Sequence, residues 1–271
     1  MSKIIERCHE NPKATLNESR AWNHYDYMLD YLWDDEEYKD FFKESLRLGR
    51  RVIFDNSLFE FHPYVPPMDR FYEHVKEMGQ YGNRLEYIVT DVLNDADDTI
   101  KHFDEWMEKY SDAPGKSIGV AQGSTLEDLT RCYLYMCDHA DKVAIPFDSA
   151  AFDELVSEEE HKGDKLLKWC LGRPRFVKYL VNNGYYRPDV PIHLLGASYV
   201  REFEYPIYKN TIETVDTSNP VVCGIKHIQY GPYGNDEKPS IKLVDLIDYK
   251  PTALELKYIR LNVLIFNEIL N

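Results

Sequence analysis

Six short, continuously apolar runs recur along the chain: RVIFDNS (51–57), LEYIVTD (85–91), SIGVAQG (117–123), KVAIPF (142–147), VPIHLLG (190–196) and IETVDTS (212–218). Each is rich in β-branched residues and closes on polar residues or glycine. Continuous rather than alternating apolarity marks strands buried on both faces, the pattern of a parallel sheet covered by helices. Amphipathic stretches lie between the runs. In DDTIKHFDEWMEKY (97–110), Ile100, Phe103, Trp106 and Met107 share one helical face. STLEDLTRCYLYMCDH (124–139) opens with Ser124 and has Glu127 three residues on, a capping-box pattern. A long apolar-striped helix is expected over 252–270, after Pro251.

Strand–helix alternation restricts the fold to a closed α/β barrel or an open doubly wound sheet, both with right-handed crossovers. An open sheet of the dinucleotide-binding kind needs a glycine-rich phosphate turn after its first strand, and neither GxGxxG nor GxxxxGK[ST] occurs. The chain's 271 residues suit a (β/α)8 TIM barrel, one domain over 1–271. KIIER (3–7) reads as the first strand, and the eighth is expected within 221–248. The Tyr-rich, acidic segment Tyr25 to Tyr38 reads as an exposed helix packing its aromatics on the barrel. The stretch from His161 to Arg187 is longer than one barrel helix and predicts an inserted hairpin or helix near 160–187.

With 47 acidic against 32 basic side chains, the net charge is −15, which excludes a generally basic nucleic-acid coat protein. It leaves room for an enzyme with a local basic groove. A hydrophobic fraction of 44% excludes a disordered chain. No apolar run approaches the roughly 20 residues that span a bilayer, and the opening MSKIIERCHENPK has no apolar signal core. No membrane association and a cytoplasmic location are the expectations. Five scattered cysteines form no CxxC cluster, and the histidines show no HxxxH or HExxH spacing. Reduced thiols, no metal and no cofactor are therefore expected.

Active-site residues of a barrel sit at the C-terminal ends of its strands. Those ends carry Asp55, Asp91, Gln122-Gly123, Pro146-Phe147-Asp148, His193 to Gly196, and Asp216. Any one aspartate there could simply cap the helix that follows it. Three of them with a Gln-Gly point to chemistry. One carboxylate can attack an anomeric carbon while a second moves a proton, the usual equipment for exchange at a glycosidic bond. A further Asp and a Gln amide can read a purine edge, so a nucleobase is the indicated leaving group.

These segments resemble the tRNA-guanine transglycosylases, and more closely their phage and bacterial DNA-guanine relatives of the DpdA type. VIFDNSLFEF is similar to the family segment in which an Asp starts a turn and a Phe four residues on stacks on the base. The resemblance makes Asp55 the general acid/base and Phe59 one half of a stacking sandwich. IVTDVLND implies that Asp91 binds the guanine edge, and GVAQGSTLEDL resembles the VQGG turn, which puts Gln122 and Gly123 at the base carbonyl. HLLGASYVREFEYPIYKNTIETVDTSNPV resembles the LMGVG segment with its downstream nucleophile, which implies Asp216 as nucleophile and Leu195 and Gly196 as the other wall of the base pocket. The resemblance covers residues 51–220.

The chain departs from the family in three ways, one of them its shorter length than the tRNA enzymes. The zinc subdomain, with its CxCxxC, has no counterpart, so tRNA is the less expected acceptor. The AIGG turn stands here as Ala144-Ile145-Pro146-Phe147, where only Phe147 keeps a backbone N–H for the base carbonyl. The resemblance implies a double displacement in which guanine in DNA is exchanged for a free 7-deazaguanine (preQ0-like) base. Lys165, Lys168, Arg173, Arg175 and Lys178, interleaved with aromatics, are the candidate nucleic-acid contacts, against the alternative of a solvated helix face. Arg47, Arg50 and Arg51 read as structural, and His193 as a pocket-wall residue or one that orients the sugar or a carboxylate. A tRNA or nucleoside base exchanger, a glycosylase, and a non-catalytic nucleobase-binding barrel remain as alternatives. Oligomeric state is not legible.

Overall fold

The structure, a computed structural model, describes residues 4–62, 64, 67–197, 199–235 and 238–271. Among these, eight parallel strands form one sheet: β1 (Glu6–His9), β2 (Asp26–Leu29), β3 (Val52–Asp55), β4 (Leu85–Ile88), β5 (Lys116–Val120), β6 (Lys142–Pro146), β7 (Ile192–Leu195) and β8 (Thr214–Thr217). The order β1-β8-β7-β6-β5-β4-β3-β2 curls the sheet round until β1 and β2 meet. The result is a nearly closed (β/α)8 barrel. The helices are α1 (Leu16–Ser19), α2 (Glu36–Arg47), α3 (Leu58–Phe61), α4 (Met68–Gly79), α5 (Ala96–Lys109), α6 (Leu126–His139), α7 (Glu158–His161), α8 (Lys165–Asn182), α9 (Tyr208–Thr211), α10 (Asn219–Ile225) and α11 (Ala253–Leu270).

The β1–β2 seam carries no regular ladder and is closed in part by a side chain. Asn23 accepts the His9 N–H at 2.8 Å and donates to the His9 carbonyl at 2.9 Å. It thereby offers β1 the two hydrogen bonds that a neighbouring strand would supply. One backbone bond, from His24 N–H to the Arg7 carbonyl at 3.0 Å, lies beside it.

Three expectations are corrected. The second strand is Asp26–Leu29, inside the segment expected to be an exposed helix, and the acidic helix begins only at Glu36. Tyr25, Tyr27 and Leu29 point into the barrel, and the Asp26 carboxylate is held by Arg50 at 2.7 and 3.0 Å. Tyrosines fill inward positions that aliphatic residues fill elsewhere, so the run looks polar while its strand is buried. No strand occurs among the described residues of 221–248. Val221 and Val222 belong to α10, whose first turn is set by Pro220. The first strand also starts later than 3–7, whose Lys3 lies outside the described residues.

Along each strand, side chains alternate between two environments. Val52, Phe54, Tyr87, Val143, Ile145 and Leu194 face outward into the core shared with the helices. Cys8, Tyr27, Ile53, Ile88, Ile118, Val120 and Ala144 fill the barrel interior. At the N-terminal end the barrel floor is charged. Lys142 pairs with Glu86 at 2.6 Å and Glu213 at 2.9 Å, and Arg51 bonds Glu6. The Arg50 and Arg51 run therefore serves the bottom of the barrel.

The crossover from β6 to β7 is a 3-10 turn (Ala150–Glu154), the one-turn α7 and the 18-residue α8. The added structure precedes α8, which is the barrel's own helix, and 162–187 holds no hairpin. Helix caps also shift by a residue: Thr125 rather than Ser124 caps α6, accepting from Asp128 N–H. On α5, Phe103 and Trp106 are buried while Met107 faces solvent.

Candidate functional site at the barrel mouth

Inward-facing positions recur every second residue, so the last inward residue of each strand projects into the C-terminal mouth. On β1 this phase passes through Glu6 and Cys8 to Glu10, and on β8 through Thr214 to Asp216. The pairing of Cys8 with Asp216 sets Glu10 diagonally above Asp216 on the neighbouring strand.

Asp216 is 4% exposed. Its Oδ1 accepts the Gly196 N–H at 2.9 Å, and His193 Nε2 lies 3.1 Å from the same oxygen, too bent for a full hydrogen bond. Gly196 reaches this position with φ +69°, a left-handed conformation that favours glycine. The second oxygen of Asp216 accepts no hydrogen bond among the described residues. His193 is fully buried, and burial pulls its pKa below the ordinary histidine value. Its Nδ1 sits 3.0 Å from Thr214 Oγ1, and its ring stacks on Tyr27 at 6.1 Å.

Asp55, half-buried, accepts from the Tyr27 hydroxyl at 2.9 Å and from Ser57 N–H at 3.2 Å. Burial, reinforced by nearby Glu60, pushes its pKa well above the usual carboxylate range. Asn56 ties the strand ends together: its side chain donates to the Val89 carbonyl at 3.1 Å and to Asp91 Oδ1 at 3.3 Å. Asp91 is buried, and its Oδ2 accepts from Gln122 Nε2 at 2.7 Å. Gln122 Oε1 in turn accepts the Asn94 N–H at 2.9 Å. The two expected base-reading side chains therefore face each other. Burial raises the Asp91 pKa, against the opposing pull of the Gln122 and Asn56 bonds. Helix capping explains neither Asp91 nor Asp216, because Asp95 caps α5 and Ser218 occupies the N-cap of α10. Gly123 has a structural requirement of its own, since a Cβ there would lie 2.3 Å from Leu129 N.

Phe59 is 55% exposed on α3, while Phe147, Leu195 and Gly196 lie at the β6–β7 side. Ser198 of the β7 segment falls outside the described residues. The structure adds Glu10, Glu60 and Asp148, three half-buried carboxyls for which no side-chain hydrogen bond is found among the described residues. Burial raises Glu10 well above its ordinary range, with Asp216, Glu60 and Asp55 adding to it, and burial likewise raises Asp148. Glu10 becomes visible in the sequence once the β1 phase is known. Among the described residues, no group of three or more His, Cys, Asp or Glu could hold a metal ion.

The expected nucleic-acid contacts fare differently. Arg173 is fully buried and cannot meet a phosphate. It pairs with Glu202 at 2.6 and 2.9 Å and donates to the carbonyls of Ile145, Leu195 and Gly196 at 3.2, 3.1 and 2.7 Å. Lys168 is paired with Asp153, and Arg175 with Glu160. Lys165 and Lys178 are exposed, but the helix rise sets them about 20 Å apart, with Lys178 toward the barrel floor. The five residues do not form one patch.

Glu60 gives the site a pH signature. Burial raises its pKa from 4.5 to about 7. The folded protein thus keeps a proton that the unfolded chain releases, and this contribution is complete below pH 4.5 and lost as pH rises through about 7. The loss is on the order of 3 kcal/mol. Glu60→Gln is expected to flatten that part of the stability profile in urea denaturation across this range. An unchanged slope in the variant would place the titration elsewhere.

The arrangement pairs a carboxylate anchored through one oxygen with carboxyls in which burial favours the protonated form. Such a set can form and break an ester at a sugar carbon while passing a proton to and from the departing group. Compared with known proteins, the chain matches no family model, and no curated protein matches it.

Proposed function

We propose that this barrel is a glycosyl-transferring enzyme that exchanges guanine in DNA for a free 7-deazaguanine (preQ0-like) base. The observation that carries this reading is Asp216, fixed by Gly196 N–H through one oxygen while the other accepts no hydrogen bond among the described residues. In the first step that oxygen attacks C1′, and the bond from C1′ to guanine N9 breaks. Protonated Asp55 passes its proton to the departing base, leaving a sugar ester on Asp216. In the second step N9 of the incoming base attacks C1′ and releases Asp216, and the N9 proton goes to Asp55. Two inversions give net retention, with no redox change and no cofactor. Asp91 and Gln122 read the base edge, Gly123 shapes the turn beside it, and Phe59, Phe147, Leu195 and Gly196 bound its faces. A base in a duplex must first be flipped out, at a cost of a few kcal/mol, which favours single-stranded or opened DNA.

A second reading keeps the chemistry and changes the acceptor to a nucleoside, because the carboxyls that the described residues bring to the mouth suit an uncharged sugar. The test supplies wild-type protein with guanine-containing single-stranded DNA, tRNA and deoxyguanosine in parallel, with labelled 7-deazaguanine. Label entering DNA alone supports the first reading, and label entering only deoxyguanosine supports the second. Guanine release without added base indicates hydrolysis. Inertness toward all three would leave a base-binding barrel.

A further inference from the structure

Residues 238–246, ahead of α11, cross the mouth as a strap. On the β6 side, Lys238 Nζ lies 5.7 Å from the centre of the Phe147 ring. On the β3 side, Lys242 Nζ stands 4.3 Å over Phe59 and donates to the Phe59 carbonyl at 3.2 Å. Below the strap, Glu10, Asp216 and Asp148 act on Lys238, and Lys242 acts on Glu60. Two cations, each above an aromatic face, thus rim an acidic throat. Pro239 stiffens the strap between them, and buried Leu243 and Leu246 anchor it to the core around Val222 and Ile259.

A ligand that matches this layout is anionic along its outside, flat, and neutral but rich in N–H donors where it enters the throat. One nucleotide unit of a single strand has all three properties. A duplex hides its base faces, an acidic peptide lacks the flat donor-bearing ring, and a free nucleoside has no charge for the rim. Four residues of chain reach at most about 14 Å, so the two lysines can flank one flipped nucleotide. Basic side chains set beside aromatic rings are also the combination that binds single strands.

We propose that the strap, and not α8, is the phosphate-contacting rim for a single-stranded nucleic acid, with Lys238 and Lys242 as its cations. This rests on the base-exchange reading only for which base enters the throat.

The test measures binding of a fluorescent single-stranded oligodeoxynucleotide with one guanine to the full chain over a range of salt. Lys238→Glu/Lys242→Glu is expected to weaken binding more than tenfold. It is also expected to lower the slope of log K against log salt by about 1.4, since each phosphate contact on a single strand contributes about 0.7. Lys101→Glu/Lys257→Glu makes the same charge change on exposed faces of α5 and α11 and controls for net charge. Wild-type-like binding by the strap variant, equal weakening by the control, or a larger loss in Lys165→Glu/Lys178→Glu would overturn the proposal. Wild-type turnover of deoxyguanosine is measured alongside. Turnover with no oligonucleotide binding sinks the strap and spares the chemistry. Strap-dependent binding with no turnover of any substrate does the reverse.

Discussion

Asp216→Asn is expected to abolish base exchange, by roughly 10⁴-fold or more, while leaving the barrel folded. Asparagine keeps an oxygen to accept the Gly196 N–H and nearly the same volume, so the β7–β8 end should hold its shape. It loses the charged oxygen that forms the sugar ester, and an amide is a far weaker nucleophile. Two measurements separate these effects. Labelled base should no longer enter DNA, and the protein–DNA adduct that survives denaturation of wild type should disappear. Circular dichroism and the urea midpoint should match wild type. An adduct still formed by the asparagine variant would move the nucleophile elsewhere. Persistent exchange without an adduct would replace double displacement by another mechanism.

Arg173→Ala is expected to be the most damaging single change to stability, at about 3–5 kcal/mol in urea denaturation. The truncation strands the buried Glu202 carboxylate, which keeps only the Tyr208 hydroxyl at 2.7 Å. It also removes the donors of three carbonyls at the ends of β6 and β7. Arg173→Lys should recover only part of the loss, because a lysine cannot reproduce the forked contacts. Arg173→Met with Glu202→Leu should recover the share due to the stranded charge and leave exchange impaired, since Gly196 is no longer clamped. A loss below about 1 kcal/mol for Arg173→Ala would show that the pair is dispensable.

Strands β3 to β8 were legible because their residues are β-branched and apolar on both faces. Strand β2 was not, because its inward positions are tyrosines and its Asp26 is neutralised by Arg50, 24 residues away. Placing the first strand at 3–7 hid Glu10, whose relevance depends on an inward phase that the sequence alone does not reveal. Asp55, Asp91, Gln122 and Asp216 were found at strand ends, and the structure brings Asp91 and Gln122 into direct contact. Arg173 looked like one cation in a basic run. Its partner Glu202 lies 29 residues on, and only tertiary structure joins them.

The ladder between β1 and β8 has a consequence for how this protein comes into being. It joins residues about 200 positions apart, the kind of long-range pairing that forms slowly and late. During synthesis the strands from β2 onward can add to one another as they emerge, each beside its predecessor. Strand β1 has no such neighbour, and the side chains of Asn23 and His24 and one backbone bond, rather than a ladder, tie it to the segment that leads into β2. It must wait for β8. Glu10 and Asp216 stand on either side of that last join, so the proposed nucleophile meets its neighbouring carboxyl only when the ring shuts. A partly made chain would carry most of a barrel, with Asp91 and Gln122 already joined, but not the side of the mouth where Glu10 meets Asp216.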